Sequence, residues 1–229
     1  MTATRPCKEP PQSSAMKQII ATHHDNSPDT ITPAGDDPAY LPRAVRCRAP
    51  SELPDRIFII GFSGVGKTTE GEIIADMLGR RFIDLDQAIT GCTGKTIPQI
   101  FEEEGKDRFR AIETQVLHEL ATAESNAVIA CGGGTVCERI NRRILKESGL
   151  SILLVADVPT IHKRTRASDR PLLSCRDPLQ KIQELMRDRR PLYRECADWI
   201  FSTSHAFPDT VGKNIYKYYL ARYRQTGML

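Results

Sequence analysis

Apolar residues along this chain fall into short solid runs separated by amphipathic stretches. The runs are Ile57–Ile60, Phe82–Leu85, Ala127–Ala130, Ser151–Ala156 and Trp199–Phe201. Runs this short and this apolar read as strands covered on both faces. Between them the apolar positions return at helical spacing, as Ile73, Ile74, Met77 and Leu78 do. That spacing predicts helices over Lys67–Leu78, Pro98–Glu104, Lys106–Ala121, Glu138–Lys146, Thr160–Arg166, Pro178–Glu195 and Pro208–Tyr223, with a break in the penultimate one near Pro191. Strands alternating with helices predict an α/β fold, a parallel sheet with helices on both faces. Ligands of such sheets gather at the carboxyl ends of the strands.

Residues 1–54 break the pattern. Nine of the fifteen prolines lie there, and Tyr40 is the only aromatic residue. Such a stretch cannot bury enough surface to offset its ordering entropy, so it is expected to be a disordered extension preceding a single domain over 55–229. Glu9, Asp25, Asp29, Asp36 and Asp37 argue against an organellar transit peptide, and no apolar stretch of signal-peptide type is present in the first thirty residues. The net charge of +3 is too small to argue for a nucleic-acid partner, and no apolar run approaches membrane-spanning length. Seven cysteines, odd in number and without C-x-x-C spacing, read as free thiols of a cytoplasmic protein. No Cys/His set has the spacing of a zinc site.

Chemistry enters with Gly61-Phe62-Ser63-Gly64-Val65-Gly66-Lys67-Thr68, which matches G-x-x-x-x-G-K-[ST]. The glycines let the backbone curl so that amides face phosphate oxygens. Lys67 can reach the β- and γ-phosphates, and the Thr68 hydroxyl can ligate Mg²⁺. A strand before it and a helix after it supply the setting this loop requires.

Five further clusters sit at or just beyond strand ends, on neighbouring helices or in a loop. Asp84-Leu85-Asp86 closes the second strand. Read as extended chain, its two carboxylates point the same way, one toward Mg²⁺ and one toward a substrate hydroxyl. The competing reading is a solvated strand end that caps the next helix. Gly132-Gly133-Gly134 follows the third strand and permits close backbone approach to a ligand. Arg110 and Glu113 share one helix face, which suits either a substrate-anion site or an ordinary surface ion pair. Arg164, Arg166, Arg170 and Arg176 frame a loop able to close over ATP. Arg187, Arg189, Arg190 and Arg194 suit a carboxylate or phosphate.

In order, these pieces resemble shikimate kinase. The resemblance runs from about Arg56 to about Lys217. It rests on Gly61–Thr68, Phe82-Ile83-Asp84-Leu85-Asp86, Gly94-Lys95-Thr96-Ile97 leading to Phe101, Phe109-Arg110 with Glu113, Gly132-Gly133-Gly134, Arg170-Pro171-Leu172-Leu173 and Pro191-Leu192-Tyr193-Arg194. The resemblance implies a five-stranded parallel sheet of the P-loop kinase type and a monomer. It implies transfer of the ATP γ-phosphoryl to the 3-hydroxyl of shikimate, on the route to chorismate and aromatic amino acids. The implied nucleotide contacts are Gly64, Val65, Gly66, Lys67, Thr68 and Thr69, with Arg164 flanking adenine and Arg170 closing on the phosphates. Thr68 and Asp84 are the implied Mg²⁺ residues. Asp86 is the implied base or orienting group, and it would hold shikimate with Gly132, Gly133, Gly134, Arg110 and Arg194, while Glu113 fixes Arg110.

Two departures stand out. Lys106 replaces the family's usual acid after Gly105, and Ser202-Thr203-Ser204-His205 replaces an adenine-side loop that often carries Arg. The rivals are a kinase for another small hydroxylated acid such as gluconate, and a catalytically silent ATP-binding protein. A GTPase is disfavoured because no N-K-x-D motif is present.

Overall fold

A computed structural model describes residues 43–44, 54–166, 177–204 and 210–224. The chain divides into two units, Met1–Ala39 and Tyr40–Leu229, and every described residue belongs to the second. The expected disorder of residues 1–54 therefore falls outside the described residues, except at Arg43–Ala44 and Pro54.

The described elements are β1 (Arg43–Ala44), β2 (Arg56–Ile60), α1 (Lys67–Leu78), β3 (Arg81–Asp84), α2 (Leu85–Thr93), α3 (Ile97–Glu103), α4 (Gly105–Ala123) and β4 (Ala127–Ala130). A 3₁₀ turn at Thr135–Cys137 leads to α5 (Arg139–Ser148), β5 (Leu150–Val155), α6 (Val158–Thr165), α7 (Pro178–Cys196), β6 (Trp199–Ser202) and α8 (Thr210–Arg224). The sheet runs β1-β6-β5-β2-β4-β3. Five of its strands are parallel, as the sequence leads one to expect. The sixth, β1, pairs antiparallel with β6 and lies inside the stretch that the sequence assigns to the extension.

β2 is central, between β4 and β5. Ile57, Phe58 and Ile59 are 0 % exposed and Ile60 is 1 % exposed. Successive strand side chains point to opposite faces, so both faces of β2 are covered. Its register sets Ile59 beside Ala130, and Ala130 beside Asp84. The carboxyl ends of β2, β3 and β4 are thus level, and the loops leaving them meet on one rim.

Two expectations are corrected. Leu85–Thr93 is a helix, so Asp86 lies in a first helical turn and not on extended chain. Asp84 is its N-cap, accepting from the amides of Asp86 (2.9 Å) and Gln87 (3.3 Å). Helix α7 continues through Pro191. A proline there removes one ladder hydrogen bond, and the burial of Ile182, Tyr193 and Cys196 on either side holds the helix together. Cys131, Cys137 and Cys196 are free thiols as expected, whereas Cys92 is disulfide-bonded, against the expectation of free thiols throughout. Among the described residues no helix is long and apolar enough to cross a membrane.

Candidate active site

The phosphate-binding loop leaves the end of β2. Gly66 is the N-cap of α1 at φ 97°, a left-handed conformation that a side chain would strain. It offers no side chain to the first amides of α1, so these remain open to an anion at the positive end of the helix. Lys67 is the first residue of α1, and its Nζ donates to the Phe62 carbonyl at 3.0 Å. Thr68 and Thr69 are exposed on the first turn.

The loop is braced from the far side. Thr203 Oγ1 donates to the Val65 carbonyl at 2.8 Å. Arg164 donates to Thr203 Oγ1 (3.1 Å) and to the Thr203 carbonyl (3.0 Å), and reaches the Gly64 and Val65 carbonyls at 3.5 Å. Arg164 is therefore tied to the loop through Thr203, whose role no motif in the sequence signals.

At the mouth of the loop, Thr68 Oγ1 donates to Asp84 Oδ2 at 2.9 Å. The same carboxylate caps α2 through its other oxygen. The pair offers only oxygen, Thr68 exposed and Asp84 half-buried, beside the phosphate-binding loop. That suits Mg²⁺, which takes few protein ligands and fills its shell with phosphate oxygens and water. No group of three or more His, Cys, Asp or Glu able to hold a metal occurs among the described residues.

The second half of the site comes from the glycine triplet. A methyl placed on Gly132 would lie 2.9 Å from Glu113 Oε1 and 3.0 Å from Asp86 Oδ1. A methyl on Gly133 would lie 2.8 Å from Ser63 Oγ in the phosphate-binding loop. A methyl on Gly134 would run into the Arg110 guanidinium. Backbone without side chains is what lets Asp86, Glu113, Ser63 and Arg110 converge here.

Arg110 and Glu113 are not the surface pair that an isolated i,i+3 spacing allows. They are 8 % and 1 % exposed and ion-paired to each other. Glu113 also accepts from Thr135 Oγ1 at 2.7 Å. Burial pushes the Glu113 carboxyl up, while the Arg110 guanidinium and the Thr135 hydroxyl pull it back. Arg110 lies over the Phe109 ring at 4.8 Å, and its buried Nε has no hydrogen-bond partner among the described residues. A desolvated cation with a donor unused is costly unless an anion completes it. Asp86 is exposed near this pair.

Arg194 is half-buried in the last turn of α7 and makes no hydrogen bond or ion pair among the described residues. Its neighbour Tyr193 donates to the Gly133 carbonyl at 2.6 Å, and Arg189 donates to the same oxygen at 3.0 Å. In the sequence Arg189 is marked only as one of an arginine cluster. Arg170 lies outside the described residues. Lys106, the charge reversal noted above, is exposed.

The shikimate kinase family model matches residues 63–220. A shikimate kinase of Psychrobacter sp. is 45 % identical over 166 residues, covering 72 % of this chain and 91 % of its own. One from Acinetobacter baumannii (strain AYE) is 44 % identical over 153 residues, covering 66 % and 84 %. Among solved structures, shikimate kinase from Acinetobacter baumannii in complex with shikimate superposes with a TM-score of 0.71 at 40 % identity, covering 74 % of this chain and 94 % of that one. The phosphate-binding loop and the buried arginine thus sit in a chain that the family model matches over most of its length, and the chain belongs to the shikimate kinase family.

Proposed function

We propose that this protein transfers the γ-phosphoryl group of Mg-ATP to the 3-hydroxyl of shikimate, in the route to chorismate and the aromatic amino acids, as a cytoplasmic monomer. The observation that carries the reading is the meeting of Asp86, the Arg110–Glu113 pair and Gly132–Gly134 beside Ser63 of the phosphate-binding loop. A small anionic alcohol needs a cation for its carboxylate and a carboxylate for its hydroxyls. Both stand within reach of a phosphate site.

Gly64, Val65, Gly66, Lys67, Thr68 and Thr69 cradle the phosphates, and Lys67 swings from the Phe62 carbonyl to the β- and γ-oxygens. Thr68 and Asp84 would hold Mg²⁺, which would supply positive charge to neutralise the transferring group. Arg110 takes the shikimate carboxylate on the face that Glu113 leaves open, and Arg194 closes on it from α7. Asp86 orients the acceptor hydroxyl and accepts its proton. The amides of Gly132 to Gly134 meet the ring hydroxyls. Arg164 flanks adenine from its brace on Thr203, and Arg170 closes over the phosphates. Catalysis is positioning plus electrostatics, with little covalent work for the protein.

Replacing Asp86 with Asn tests the reading. Nucleotide binding, followed by calorimetry, should persist while phosphoryl transfer falls by about 10²–10⁴-fold. Turnover near that of wild type would remove Asp86 from this role, and a panel including gluconate would expose a different acceptor.

A further inference from the structure

Among the described residues, two of the glycine triplet's three carbonyls are held by main chain. Gly132 O accepts from Thr135 N at 3.2 Å, and Gly134 O accepts from Cys137 N at 2.9 Å. Gly133 O instead accepts from two side chains of α7, Tyr193 Oη at 2.6 Å and Arg189 at 3.0 Å. The donors lie 60 and 56 residues away in sequence, one turn apart on one helix. Both are built in. Tyr193 is 5 % exposed, and burial pushes its phenol up, so that it remains a donor. Arg189 rests its guanidinium 5.7 Å from the centre of the Phe62 ring, in the phosphate-binding loop.

That carbonyl decides where a peptide plane points. No peptide among the described residues is cis. In a trans unit the carbonyl and the following N–H point in opposite directions. With Gly133 O drawn to α7, the Gly134 N–H faces away from α7. Gly134 is buried, and its N–H makes no hydrogen bond among the described residues. A buried amide without an acceptor is rare and needs one. A peptide between two glycines also has almost no steric barrier of its own to turning over.

We propose that Tyr193 and Arg189 are positioning residues that lock the Gly133–Gly134 peptide so that its N–H is presented to the phosphoryl acceptor. The inference rests on the function proposed above and deepens it. Without the two donors the peptide turns, withdraws the donor and offers an oxygen in its place. The contact of Arg189 with Phe62 ties this peptide to the nucleotide side of the site.

Tyr193→Phe deletes one donor and leaves the packed ring, so it isolates the effect. Steady-state kinetics should show the KM for shikimate raised by about 3- to 10-fold and the KM for ATP within about twofold of wild type. Arg189→Lys keeps a charged donor and should lie closer to wild type than Arg189→Met. The Tyr193→Phe/Arg189→Met double variant should lose more than about 30-fold in kcat/KM for shikimate, because neither anchor remains. A merely structural role would lower the melting temperature and raise both KM values together, and that result overturns the inference. So does a double variant within about twofold of wild type in shikimate KM. A wild-type protein inert toward shikimate overturns function and inference together, whereas an active wild type with unresponsive variants overturns the inference alone.

Discussion

Replacing Gly134 with Ala inserts one methyl group between the glycine loop and the buried arginine. The backbone at Gly134 sits at φ −110°, ψ −2°, which any residue can adopt, so the substitution carries no conformational strain. Its whole effect is a collision. The added carbon would lie 2.8 Å from Arg110 Cζ and 3.0 Å from one terminal nitrogen, with the other nitrogen nearer still. Ordinary contact requires the guanidinium to retreat by about 1 Å. A surface arginine would do so freely. Arg110 is 8 % exposed, ion-paired to Glu113 and laid over Phe109, so it has nowhere to go without breaking one of these contacts. Overpacking of this kind costs about 1–3 kcal/mol. If that cost falls on the carboxylate clamp, the KM for shikimate rises about 5- to 150-fold, while the KM for ATP stays within about twofold. Gly91→Ala on α2 is the control: nothing lies within 4 Å of the added methyl, and kinetics should not change. A Gly134→Ala enzyme with wild-type shikimate KM would refute the placement of the acceptor carboxylate at Arg110.

Three further outcomes follow from the same geometry. Asp84→Asn keeps a good N-cap for α2, so stability should change by less than about 1 kcal/mol, while the Mg²⁺ concentration for half-maximal activity rises about 10- to 100-fold in a metal titration. An unchanged metal requirement would leave Asp84 as a cap alone. Glu113→Gln leaves the Arg110 charge buried and unpaired, and should cost about 3–5 kcal/mol by denaturant unfolding. A loss under about 1 kcal/mol would mean that the pair is solvated. Burial pushes the Cys131 thiol up, so it carries less thiolate than an ordinary cysteine at any pH near neutrality. Peptide mass spectrometry after iodoacetamide treatment at pH 8 should find Cys137 alkylated and Cys131 intact until the protein is unfolded; equal labelling in the folded state would contradict its burial.

Much of the fold is legible in the sequence where local pattern and tertiary role agree. Helix α1 and strand β4 carry the bounds that periodicity assigns them, because Gly66 and Gly79 flank the helix and a solid apolar run defines the strand. Helix α2 escapes notice for a physical reason. Only Leu85 and Ile89 in it are buried, and Thr90, Gly91, Cys92 and Thr93 are poor helix formers, so the helix rests on the Asp84 cap more than on propensity. Proline 191 misleads in the opposite direction, since packing on both sides overrides a lost hydrogen bond.

The site divides in the same way. The phosphate-binding loop is contiguous and speaks for itself. The depth of Arg110 and Glu113 depends on Thr135, 22 residues from Glu113, and on a glycine backbone that no helical spacing reveals. Tyr193 and Arg189 are invisible as anchors because their partner is a carbonyl of another element. Interactions that close over long sequence separations leave no local pattern, so only the folded chain displays them.

Shikimate is the proposed phosphoryl acceptor. Coupled measurement of ADP release with Mg-ATP, with and without shikimate, tests it most directly. Slow background release should rise steeply and saturably when shikimate is added, with one ADP formed for each shikimate consumed. ADP release indifferent to shikimate would contradict it.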